Sequence, residues 1–125
     1  MNMKIIWMSV LLVLSILTGI ILTVKGRPMG VLLMNVHKLI SLGFIVLAFL
    51  AVRNHLRGAE GDVPLILAIL GILAAVALFV LLVTGSILTR PEPVCRSLVF
   101  MLHTAAAVIG LISSGGLVYF LVAGK

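Results

Sequence analysis

Four apolar stretches, at roughly 5–24, 30–52, 64–89 and 97–122, are each long enough to cross about 30 Å of hydrocarbon at 1.5 Å per residue. Charge or proline bounds every one of them. A chain of 125 residues that is 63% hydrophobic and 10% charged cannot hide its apolar side chains in one small aqueous core, so a bilayer is required. The joints are short and polar: Lys25-Gly26-Arg27-Pro28, Arg53 to Asp62, and Arg90-Pro91-Glu92-Pro93. Short joints force antiparallel neighbours. The expected fold is therefore an all-α, up-down-up-down four-helix bundle in a single transmembrane domain, multi-pass in a cell membrane such as the plasma membrane of a prokaryote.

The first span follows Lys4 as a signal peptide would, but no Ala-x-Ala site follows it and Lys25-Gly26-Arg27 is a poor cleavage region, so it is expected to stay. The formal charge of +6 would suggest nucleic acid in a soluble protein. Here the bases gather at span ends, as membrane topology requires, and nucleic-acid binding is not expected. Lys25, Arg27, Lys38, Arg90 and Arg96 lie toward one face, and Lys4, Arg53, Arg57 and Lys125 toward the other. Five against four does not set the orientation.

Sliding the chain on itself by 66 residues lays Thr18-Gly19-Ile20-Ile21-Leu22-Thr23 over Thr84-Gly85-Ser86-Ile87-Leu88-Thr89, and His37 over His103. Five of the six hexamer positions agree. Across the whole overlap only 12 of 59 positions match, so in so apolar a chain the Thr-Gly and His registers carry the argument. They describe two duplicated helical hairpins with one histidine in each.

Ionisable side chains within a span are costly, tend to face the bundle interior and by default mark function. His37 and His103 share a depth, about a turn and a half into the second and fourth spans. In a square arrangement with neighbours 8–10 Å apart, those diagonal spans are on the order of 13 Å apart. Two imidazoles at that distance cannot touch, but they can reach one metal from opposite sides. A haem iron with two axial histidines fits.

A flat macrocycle between the rings needs small neighbours, and residues at steps of three, four and seven share a helix face. Beside His103 that face reads Ala106, Ala107, Gly110 and Ser114; beside His37 it reads Ser41, Phe44 and Ala48. Gly19 and Gly85 fall at the histidine level, where a ring can lie against bare backbone. Close helix packing is the plainer account of the same small residues. Haem propionates would find cations in Lys38, Arg27 and Arg96 on the adjacent membrane face, although Lys38 also suits snorkelling to headgroups.

His55 lies eighteen residues beyond His37, so it points the same way from the opposite face, yet its counterpart in the second copy is Leu121. One haem b per chain is expected, with His55 an interfacial side chain between Arg53 and Arg57. Met34 and Met101 read as apolar filler rather than axial thioethers. Trp7 and Tyr119 read as interface anchors. The lone Cys95 excludes an internal disulfide and any two-thiol redox centre.

On His37 and His103 in alternate helices, and on Thr18-Gly19 and Thr84-Gly85 beside them, the chain resembles the four-helix membrane b-type cytochromes, the group of ascorbate-reducible and respiratory di-haem cytochromes. The resemblance covers most of the chain in shape and a handful of residues in motif. It implies bis-histidine haem and electron transfer, often between quinol and a second acceptor, by a carrier or oxidoreductase component rather than a stand-alone enzyme. The chain lacks the second histidine pair that would continue an electron path across the membrane. A shuttle working with a quinone or a docked redox protein, a haem-dependent sensor and a haem carrier all fit one haem near one surface. Pairing of the ligands between two copies of the chain stays open.

Two other classes compete. A small transporter or metal-ion carrier would use duplicated hairpins and embedded histidines, but Glu60, Asp62 and Glu92 all fall in loops. A structural or assembly subunit would use the histidines only as bonds between helices.

Overall fold

The computed structural model describes residues 3–26, 30–58, 61, 64–90, 92 and 95–123. Among them the chain is α-helical and without strands: α1 is Met3–Lys25, α2 Val31–Gly58, α3 Leu65–Leu88 and α4 Arg96–Ala123. Each is long and apolar enough to cross a membrane. Apolar side chains such as Phe79 and Ile112, 67% and 68% exposed, cover the outer helix surfaces, as lipid contact requires.

The helix ends follow from local chemistry. Gly26 takes the left-handed conformation (φ 65°) and its N–H donates to the Leu22 carbonyl at 3.2 Å, closing α1 where a side chain would be strained. Pro64 precedes α3 and its carbonyl accepts from the N–H groups of Leu67 and Ala68. α2 runs six residues past the expected end of the second span and carries Arg53, Asn54, His55 and Arg57 as helix. Hydropathy marks where the bilayer ends. It does not end a helix, and no glycine or proline intervenes before Gly58.

The chain divides into two compact units, Met1–Gly58 and Ala59–Lys125. In the first, α1 packs on α2, and in the second α3 packs on α4. Each pair is antiparallel by its register. Leu11 meets Gly43, Ser15 meets Ser41 and Thr18 meets His37, so numbers rise on α1 as they fall on α2. Likewise Leu70 meets Gly116, Ala77 meets Gly110 and Thr84 meets His103.

The buried residues of α3 and α4 lie mostly at helical steps of three, four and seven: Leu67, Ala74, Ala77, Thr84 and Leu88 on one, and Val99, Ala106, Gly110, Ser114, Leu117 and Leu121 on the other. Small residues dominate the middle of this seam. Lipid is as apolar as leucine, so helices in a membrane associate through close packing rather than hydrophobic burial, and small side chains permit the approach.

Candidate functional site

Both spans' histidines are half-buried and lie within about two turns of the start of α2 and α4. Thr18 Oγ1 is 2.8 Å from His37 Nδ1, and Thr84 Oγ1 is 2.8 Å from His103 Nδ1. The residue after each threonine completes the seat. A Cβ placed on Gly19 would come within 3.2 Å of His37 Cε1, and one on Gly85 within 3.4 Å of His103 Cε1. Because Cε1 is bonded to Nδ1, the Thr-Gly dipeptide grips a single edge of the imidazole, with a hydroxyl on the nitrogen and bare backbone against the carbon.

The two threonines differ from most hydroxyls in the spans. Ser9, Thr23, Ser86, Thr104 and Ser113 return their protons to the carbonyl four residues back, at 2.7–3.0 Å, which satisfies a hydroxyl where water is scarce. Thr18 and Thr84 make the same return, to Leu14 at 2.8 Å and Val80 at 2.6 Å, and in addition reach a histidine on the neighbouring helix. In the first hairpin Ser15 also presents its carbonyl to the Thr18 hydroxyl, at 3.1 Å. Its hydroxyl lies 2.7 Å from that of Ser41, about a turn further into the hairpin. The second hairpin has Leu81 and Ala107 at the equivalent positions.

The remaining expected site residues divide by role. The ring that lies on Gly19 and on Gly85 is the imidazole of the same hairpin. Ser41 is engaged by Ser15. Gly110 lies in the α3–α4 seam, where a Cβ would stand 3.5 Å from that of Ala77 and 3.7 Å from Leu81 Cδ1. Ala106 and Ser114 are buried, and Ala107 is exposed. Phe44 is buried and Ala48 half-buried on α2. Lys38 and Arg96 are exposed near the helix starts, whereas Arg27, Glu60 and Asp62 lie outside the described residues. His55 is half-buried in the last turn of α2.

Sequence reasoning used Thr18 and Thr84 as markers of register and left them out of the site. The signal was the shared spacing of nineteen residues, which spans one antiparallel turn-around and so places both members at one level. Among the described residues, no three His, Cys, Asp or Glu side chains come together as a metal cage. Comparison with protein-family models, characterised proteins and solved structures gives no significant match.

Proposed function

We propose that the chain is a membrane haem b protein in which His37 and His103 supply the two axial imidazoles, and that it transfers electrons to or from a quinone or a docked redox protein. The four helices are read as an up-down-up-down bundle of two duplicated hairpins, with one haem per chain. The observation that carries this reading is the repetition, at equal length, of a hydrogen bond to Nδ1 of a span-embedded histidine. Metal-binding histidines characteristically have their second nitrogen held in this way.

The donor set suits a porphyrin better than a bare ion. Zinc or copper bound by protein alone asks for three or four ligands, and two imidazoles leave that set incomplete. A porphyrin brings four nitrogens of its own and asks for two more. The iron supplies one-electron chemistry when bound. The chain's part is to hold two neutral imidazoles in fixed orientations within an apolar surround. Lys38, Arg96 and Arg27 are assigned to the propionates on charge and on their nearness in sequence to the ligand level.

The test is the visible spectrum of the purified chain, oxidised and then reduced with dithionite. Sharp low-spin bands lost in both His37→Ala and His103→Ala are expected, at one haem per chain. Full spectra in the two variants would defeat the ligand assignment.

A second reading has one observation in its favour. The Thr18–His37 and Thr84–His103 bonds join neighbouring helices within each hairpin, as a structural subunit would use them. That reading expects a colourless wild-type chain that takes up no haem, and histidine variants changed only in stability.

A further inference from the structure

The proton on each histidine can be located by counting. The Thr18 hydroxyl has one proton and three acceptors in reach: the Leu14 carbonyl at 2.8 Å, the Ser15 carbonyl at 3.1 Å and His37 Nδ1 at 2.8 Å. A carbonyl can only accept, and two oxygens at 2.8 Å without a proton between them repel. The hydroxyl proton therefore goes to Leu14, and the threonine oxygen offers His37 a lone pair, so Nδ1 must carry the ring proton and donate it. In the second hairpin the Thr84 hydroxyl stands 2.6 Å from the Val80 carbonyl, and the same count places a proton on Nδ1 of His103.

We infer that Thr18 and Thr84 are positioning residues that fix His37 and His103 as the Nδ1–H tautomer, leaving the Nε2 lone pair of each ring as its donor atom toward iron. The last clause rests on the haem reading; the tautomer does not. A helical carbonyl polarises the threonine hydroxyl, which in turn draws on the Nδ1 proton, so each chain of two bonds raises the basicity of Nε2. A neutral hydroxyl does this without placing a carboxylate inside the membrane, where charge is costly. Gly19 and Gly85 act with the threonines by letting the Cε1 edge close on the backbone.

The experiment uses the full chain in lipid nanodiscs with nitrogen-15 in its histidines. In the haem-free chain, nitrogen NMR is expected to show a protonated Nδ1 and an unprotonated Nε2 at both positions. Thr18→Val and Thr84→Val, which keep the shape and lose the oxygen, are expected to populate the opposite tautomer at the neighbouring histidine. They should weaken haem binding by about 10- to 100-fold and move the midpoint potential in the positive direction, because a less basic imidazole stabilises ferric iron less. Thr18→Ser and Thr84→Ser restore the wild-type signals and control for misfolding. Valine variants with unchanged histidine tautomers, or serine variants that behave as valine does, would overturn the assignment. A wild-type chain with the Nδ1–H tautomer and no haem uptake upholds the tautomer and overturns the haem reading alone.

Discussion

The imidazole of His37 lies so close to Gly19 that a single added methyl would stand 3.2 Å from its Cε1 carbon, whereas the same addition at Gly85 would stand 3.4 Å from Cε1 of His103. The first distance requires the ring to yield by a few tenths of an ångström, and the second is ordinary van der Waals contact. His37 cannot yield freely, since its other constraint is a 2.8 Å bond to Thr18 one residue away.

Gly19→Ala is therefore expected to tilt the first imidazole and, on the haem proposal, to weaken haem binding by about tenfold with a changed electron-paramagnetic-resonance signature of the low-spin iron. Gly85→Ala is expected to stay near wild type in both measurements. Equal behaviour of the two variants would argue against the closer seat at Gly19.

The Ser15–Ser41 bond, 2.7 Å long, is a pure link between helices. Bonds of this kind in membranes average about 0.6 kcal/mol and reach about 1.7 kcal/mol, since a freed hydroxyl can bond its own helix instead. Ser15→Ala and Ser41→Ala should each destabilise by that order. The double variant should cost little more than either single one, because both remove the same bond. A double-mutant cycle of reversible unfolding in bicelles measures the coupling, and full additivity would show that the serines do not act on each other.

Gly110 is a packing residue, and its neighbour on the expected site face, Ala107, is exposed. Gly110→Leu drives a bulky side chain into Ala77 and Leu81 and is expected to destabilise the second hairpin by about 1–3 kcal/mol. The His103 signals should shift with it, as the seam that aligns Thr84 is pushed apart. Ala107→Leu should stay within about 0.5 kcal/mol of wild type. Thermal unfolding of both variants, followed by circular dichroism, makes the comparison.

His55 stands in the last turn of α2, five turns beyond His37 and flanked by Arg53 and Arg57. On the haem proposal, His55→Ala leaves the reduced spectrum and the haem stoichiometry unchanged. Loss of half the haem would instead reveal a second site at that end of the helix.

Much of this was legible along the chain. The spans follow from apolar runs bounded by charge or proline, because crossing a bilayer is a requirement on length and composition alone. The pairing of His37 with Thr18-Gly19, and of His103 with Thr84-Gly85, follows from an equal spacing across a short antiparallel joint. The end of α2 was not legible, since the polar residues from Arg53 to Arg57 leave the membrane without breaking a helix. Nor was the division of the small residues between those that lie against a histidine ring and those that pack the helix seam.

That division belongs to the tertiary structure, and the reason is rotational. Sequence periodicity says which residues share a face, but the turn of each helix about its own axis is set by how side chains interlock with the partner helix. Only the packed hairpins decided that Gly110 meets Ala77, that Ser41 is engaged by Ser15, and that the space beside Gly19 is filled by the edge of His37. They also decided that the atom holding each histidine's Nδ1 is a threonine oxygen already bonded to its own helix.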